Sequence, residues 1–507
     1  MKGMNEEKEA GRQKEERLIT RGLYLDGLRC PKLIWKDRYA PEEARREETD
    51  PVMKQQAEEV RTLGLSLFEG RVPVRETDLN RQCETTAALI AEKTEWIEDA
   101  SFRKEDCFIT ADLLHCREDG SLELYLIKSA LSVRESYLED LTFQAYVLKE
   151  LGFRVSGCFV MHLNRSYIRT GDLDLCALFT TVKMMKPVQK RIPKTARKLD
   201  VIRSVLESGQ CPQEEAGDRC AGMVVCRYHD SCFEAPEENT VFVLNNMGLN
   251  QKFELARLGM KDLRVLLEKG KLNRNQTLQA RYELEDLPDL IETEKIRGFL
   301  ASLNYPLYFL DFESFQPAVP RFDHTRPYDQ IVFQYSLHIL KEKGGVLEHE
   351  EFLAEPGADP RRPLAESLCE HVREDGCVLV YNAQFEKTRI KELAELYPDL
   401  SGHLLAIAGN IADLAVVFAS KWYYSKAMHG KYSLKYVLPA LFPEDPELNY
   451  DNLSGIHEGR AASGAFPAME TMSEEEREEC RKELLAYCAL DTLAMVRIVQ
   501  KLEEVSE

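Results

Sequence analysis

Residues 305–315 read YPLYFLDFESF. Tyr308, Phe309 and Leu310 form a short apolar run that predicts a buried strand. Asp311 and Glu313 follow at its outgoing end. Side chains two apart on an extended chain share a face, so these two carboxylates project together while Phe312 points the other way. Two acids on one face repel unless a cation lies between them. A divalent metal is the usual solution.

Working outward, the C-terminal half predicts an α/β domain. Strands are expected near 306–312, 330–340, 346–353 and 377–381, and helices near 361–374, 384–396, 411–420, 432–440 and 473–502. The stretch 443–472, rich in Pro, Gly, Asn and Ser, reads as a long loop. Within VLVYNAQFEKTRIKEL, a buried strand ends at Asn382 and Glu386 falls in the first turn of the next helix. Within ELLAYCALDTLAMVRIV, Tyr487 and Asp491 are four apart and share one helical face. Asp491 interrupts an otherwise apolar stretch, an unusual place for a lone acid. Carboxylates of this kind can hold two cations about 4 Å apart, which is what two-metal phosphoryl chemistry needs.

The succession DFE, NAQFE and YCALD resembles the DEDD exonuclease superfamily, with its RNase H-like fold. The Y-x-x-x-D of the last motif matches the tyrosine subclass. The resemblance covers roughly residues 305–502. It implies metal-ligand roles for Asp311, Glu313 and Asp491, a water-positioning role for Tyr487, two Mg²⁺ or Mn²⁺ ions, and 3′-to-5′ hydrolysis of DNA or RNA. The second motif of that family ends in Asp; here the place is taken by Glu386, with Asp413 as a reserve ligand.

The N-terminal half predicts a second α/β core. CFITADLLHC, a turn at EDGS and LELYLIKSA read as a hairpin, followed by a helix over 133–152 and a strand over 153–163. Asp112 then lies on one strand and Lys128 at the end of the next. This resembles the PD-(D/E)xK arrangement of restriction-endonuclease-like and RecB-like cores, in which acids bind Mg²⁺ and the lysine positions water. Gln144, in FQAYVL, loosely resembles the glutamine-bearing helix of the RecB branch and would contact nucleic acid. The acid expected two residues before Lys128 is absent, for position 126 is Leu126. Asp99, Glu123, Glu139 and Asp140 are the available substitutes; without one, this core would bind nucleic acid without cutting it.

Cys220, Cys226 and Cys232 recur with five residues between neighbours, and Cys30 lies far upstream. One early and three late cysteines around a RecB-like core resemble the iron–sulfur nucleases of that group. The resemblance implies a 4Fe–4S cluster tying the two ends of the domain together, with Zn²⁺ as the alternative. Cys211 is a spare.

Net charge is −20 over 507 residues, so bulk electrostatics do not attract nucleic acid. Residues 183–198, KMMKPVQKRIPKTARK, are the exception, with seven Lys or Arg and no acid. Lys186, Lys190 and Arg191 in this strip are candidate phosphate contacts. Residues 1–17 read as a polar lead and not a signal peptide. No apolar run approaches the roughly 18 residues that span a bilayer, and fourteen cysteines without an export signal predict a reduced, cytoplasmic protein. The expected organisation is therefore a restriction-endonuclease-like, RecB-like core with a cysteine cluster over 18–235, a helical connector over 236–300 and an RNase H-like domain over 301–507. That pairing looks like a bacterial family of the same architecture. A non-catalytic nucleic-acid-binding or scaffold protein, with both cores degenerate, is the alternative. The sequence leaves the protein partners unknown.

Overall fold

The structure is a computed structural model. It describes residues 18–45, 51–214, 217, 220, 226–232 and 238–507; the polar lead, 1–17, lies outside the described residues. The chain divides into two compact units, each built of mixed α/β structure.

The first unit runs to residue 235 and also includes residues 318–328. Its sheet is six-stranded, with β1 (Val72–Pro73), β2 (Trp96–Lys104), β3 (Cys107–Cys116), β4 (Leu122–Lys128), β5 (Val155–Leu163) and β6 (Phe179–Lys183) in sequence order. Strands β2, β3 and β4 form an antiparallel meander. β4 and β5 are parallel, joined by the crossover helix α5. The helices are α1 (Arg21–Arg29), α2 (Pro31–Tyr39), α3 (Pro51–Ser66), α4 (Leu79–Ala91), α5 (Glu135–Glu150) and α6 (Met185–Glu207). One core, on the α5 and α6 face, gathers Ala111, Leu124, Leu126, Phe143, Val147 and Leu199. A second gathers Leu113, Ile127 and Met161 under α3, with Ala318 and Val319. Strand alternation explains the split, since 124 and 126 share one face and 127 takes the other. From Met185 on, the basic strip forms the first half of α6, which buries Val188 and Thr195.

The second unit holds residues 236–317 and 329–507. The stretch read as a connector groups with this unit; it carries α7 (Leu249–Arg257), α8 (Leu263–Glu268), α9 (Arg274–Leu284) and α10 (Thr293–Ala301). The sheet is five-stranded: β7 (Leu307–Phe315), β8 (Ile331–Leu340), β9 (Leu347–Leu353), β10 (Cys377–Val380) and β11 (Ile411–Asp413), in the order β9-β8-β7-β10-β11. β7, β10 and β11 are parallel, while β8 is antiparallel to both β7 and β9. The helices are α11 (Arg361–His371), α12 (Gln384–Leu396), α13 (Ser401–Gly409), α14 (Leu434–Leu441), α15 (Gly459–Ala468) and α16 (Glu474–Ser506).

Two local expectations differ. Residues 411–420 were expected to be one helix, yet 411–413 form β11 beside β10. Three residues are too few for a period to declare itself, and a parallel neighbour supplies the pairing. The expected loop 443–472 contains α15, whose Gly and Ser residues hide a helix that buries Ala462 and Phe466.

Alternation along β7 sorts its side chains into two cores. Tyr308, Leu310 and Phe312 pack toward α11, α12 and α13. Leu307 and Phe309 pack toward α14 and α16, with Leu490 and Ala494. Asp311 and Glu313 continue this second row and so meet α16.

Candidate metal centre

Helix α16 is 33 residues long and opens with a capping box, Ser473 and Glu476 each bonding the other's backbone N–H. Glu474, Glu475 and Glu476 in its first turn complement the helix dipole. The face turned inward carries Leu484, Tyr487, Cys488 and Asp491 in the i, i+3, i+4 pattern. Asp491 is thereby delivered to β7. Oxygens of Asp311, Glu313 and Asp491 lie within 4.8 Å of one another, and among the described residues no other group of acids, cysteines or histidines brings three donor atoms so close.

Glu386 stands behind this trio. It sits in the first turn of α12, is buried, and its Oε2 has no hydrogen-bond partner. Its charge is felt by both Asp311 and Glu313. The turn that places it is tight: Asn382 has φ of 76°, a conformation asparagine tolerates better than most residues. The turn is held by Asp413, whose carboxylate accepts the N–H groups of Asn382 at 3.0 Å, Ala383 at 3.2 Å and Ala415 at 3.0 Å. Asp413 is thus engaged as a backbone clamp, which removes it as a reserve ligand.

All four acids are held above the ordinary carboxylate range. For Asp311, burial acts first, then the charges of Asp491, Glu313 and Glu386. Glu313 rises by burial and by the charges of Asp491 and Glu386. Burial pushes Glu386 up to about 8. Asp491 rises by burial too, although hydrogen bonds from Tyr450 and Tyr487 oppose the shift. The Cys488 thiol is the remaining donor, 3.8 Å from Oδ2 of Asp311. Three converging carboxylates, with Glu386 adding its charge, are the kind of donor set that a divalent cation takes. Gly459 borders the site, where an added Cβ would make ordinary contacts, 3.7 Å from Oε2 of Glu313 and 3.9 Å from the Tyr487 hydroxyl.

Sequence reasoning missed Tyr450, Cys488 and Gly459. Tyr450 lies in a short turn of helix, donates to Oδ1 of Asp491 and packs against Tyr487 with ring centroids 6.0 Å apart. It also lines a cleft of about 650 Å³ with Lys435, Phe442 and His457. Only Cys488, adjacent to Tyr487, carried a positional signal.

Residues 308–433 match a domain of unknown function, DUF2779. The matched segment includes Asp311, Glu313 and Glu386 and stops short of Tyr487 and Asp491. The chain is similar to uncharacterized protein MG366 of Mycoplasma genitalium, 27% identical over 207 residues, which is 38% of this chain and 31% of that protein. It is also similar to the MG366 homolog of Mycoplasma pneumoniae, 26% identical over 220 residues, 40% of this chain and 33% of that protein. Uncharacterized protein UU173 of Ureaplasma parvum is 25% identical over 217 residues, 39% of this chain and 31% of that protein. The chain spans about a third of the length of the curated relatives it matches.

In the first unit, Cys30, Cys220, Cys226 and Cys232 line one small cavity with Arg29, Leu33, Tyr228 and His229. Cys30 is the hinge between α1 and α2, closing the first helix and opening the second. All four thiols are free. Cys211 lies outside the lining. No three of these sulfurs come within 4.8 Å of one another, as the ligands of one Zn²⁺ would.

Asp112 on β3 feels the charge of Lys128 at the end of β4. Asp112 bonds Arg21 and the Ile127 N–H, and Lys128 lies 5.8 Å from the ring centre of Tyr137. Gln144 is only 1% exposed and donates to Asp140 at 2.7 Å. It has no surface to offer nucleic acid, which corrects the expected contact. Arg191, partly exposed, pairs with Glu135 and, at 2.8 Å, with Glu139. Lys186 and Lys190 are exposed on α6. Among the described residues no helix is long and apolar enough to cross a membrane.

Proposed function

We propose that the second unit is a metal-dependent phosphodiester hydrolase, a 3′-to-5′ exonuclease of DEDD type acting on DNA or RNA. The convergence of Asp311, Glu313 and Asp491, with the partnerless oxygen of Glu386 behind them, is the observation that carries this reading. The sheet order β9-β8-β7-β10-β11, with acids on the central strand and a helix crossing it, supports an RNase H-like core. Two Mg²⁺ or Mn²⁺ ions held by these acids would lower the pKa of an attacking water and stabilise the leaving oxygen. The chain's own part is to position. Burial, then the charges of Asp491 and Glu313, keep the phenol of Tyr487 protonated. Tyr487, whose hydroxyl hydrogen-bonds Asp491, would orient a water beside that acid. The cleft beside Tyr450 is large enough for a nucleotide-sized ligand.

The first unit is read as a restriction-endonuclease-like, RecB-like core that grips the strand, with Lys186 and Lys190 near phosphates and the four cysteines holding a 4Fe–4S cluster or Zn²⁺. The rival is a non-catalytic nucleic-acid-binding or scaffold protein. It is favoured by the ion-paired state of Asp112 and by Glu386 in place of aspartate. End-labelled DNA and RNA strands incubated with Mn²⁺ separate the two readings. Hydrolysis by the wild type that is lost in Asp491→Asn supports the hydrolase; equal results from both proteins support the rival.

A further inference from the structure

The first unit has the carboxylates that its RecB-like resemblance would give to a metal, and their surroundings do not fit one. Oδ1 of Asp112 accepts Nη1 of Arg21 at 2.9 Å, and Oδ2 accepts the N–H of Ile127 at 2.9 Å. Asp140 takes Nε and Nη2 of the same guanidinium at 2.8 and 2.7 Å, and also the Gln144 amide. Both oxygens of both acids are therefore committed. Nη1 is fixed further by the carbonyl of Thr110 at 2.5 Å.

The charges also close. Three carboxylates, Asp99, Asp112 and Asp140, meet three cations, Arg21, Arg61 and Lys128. Although Asp112 is buried, the charges of Arg21 and Lys128 hold its carboxyl below the ordinary range. That is the reverse of the second unit, where every clustered acid is pushed up. The substitutes for the missing ligand are occupied as well. Asp99 is held by Arg61 at 2.7 Å, Glu123 by Arg117 at 3.1 Å, and Glu139 by Lys198 at 2.6 Å. Position 126 itself is a fully buried leucine.

We infer that the guanidinium of Arg21 occupies the place of the metal ion, so that the first unit is a metal-free site whose cation is part of the chain. A guanidinium stays protonated at all working pH values. It cannot ionise a bound water as a divalent ion does, so the first unit carries no metal-dependent hydrolysis of its own. The expectation of a metal here rests on the RecB-like reading of the first unit; the inference is independent of the hydrolase reading of the second.

The test counts Mn²⁺ bound to the full chain by equilibrium dialysis and electron paramagnetic resonance after stripping with EDTA. Asp112→Asn is expected to bind as many ions as the wild type, with the same affinities; loss of an ion would overturn the inference. Arg21→Ala is expected to gain one ion per chain, and adding Asp112→Asn is expected to abolish that gain. A folded Arg21→Ala protein with no gain also overturns the inference. Should that variant fail to fold, the Asp112→Asn comparison still decides. Each measurement is repeated in an Asp491→Asn background, so that a second-unit site that binds no Mn²⁺ is read out separately.

Discussion

The Tyr450 hydroxyl donates a hydrogen bond to Oδ1 of Asp491, tying a loop residue to the one acid that arrives from α16. Tyr450 is itself held protonated by burial and by the Asp491 charge. The bond therefore stabilises the ionised carboxylate. Tyr450→Phe should raise the Asp491 pKa by about one unit, the value of a hydrogen bond to a charged group. The pH midpoint of Mn²⁺ binding should move upward by a similar amount. A midpoint that moves downward would show that the phenol competes with the cation instead.

Asp491→Asn should have two opposite effects. Without metal, it removes one of several mutually repelling buried charges, and the melting temperature should rise by about 2–4 °C. With Mn²⁺, the wild type should gain stability in proportion to ligand occupancy and the variant should gain little. Calorimetry in EDTA and in Mn²⁺ gives both numbers; a variant less stable than the wild type in EDTA contradicts the repulsion account.

Stability of the metal-free protein should fall as pH rises. Asp311, Glu313, Glu386 and Asp491 all have folded-state pKa values above the unfolded ones. The folded state thus binds more protons, and the slope of stability with pH is negative between the two values. The contribution is fully present below about pH 4, the range of unfolded carboxyls. For Glu386 it is lost as pH rises through about 8. Urea midpoints in EDTA should decline from pH 5 to 8, and divalent cations should flatten the decline.

Lys186→Ala with Lys190→Ala should weaken nucleic-acid binding uniformly across sequences. It should lower the salt slope of log K by about 1.5, close to one unit per lost phosphate contact. Arg191→Ala should leave that slope alone and destabilise the first unit, because its partners are Glu135 and Glu139. Equal slopes for all three proteins would remove α6 from the binding surface.

Protein purified without oxygen should be brown, with broad visible absorption, and Cys30→Ser should bleach it. A colourless protein holding one zinc per chain would replace the cluster by its alternative.

Much of the second unit was legible because its signals are local. The run 308–310, two acids two apart, and Tyr487 four before Asp491 all follow from the periods of strand and helix. What was illegible depends on partners far away in the chain. Arg21 lies 91 residues before Asp112 and 119 before Asp140, and no spacing announces such a pair. Gln144 was misplaced because the sequence of a helix does not say which of its polar residues turn inward. Glu386 was found from its place after a strand, whereas Asp413, read as a reserve acid, turned out to cap a turn. Tyr450 sits between turn residues, where nothing periodic points to it.

Helix α1 carries Arg21 at its first residue and Cys30 just past its last. At 1.5 Å per residue these ends are roughly 13 Å apart on one stiff rod. The helix that presents a thiol to the cysteine-lined cavity is therefore also the one that sets the guanidinium between Asp112 and Asp140.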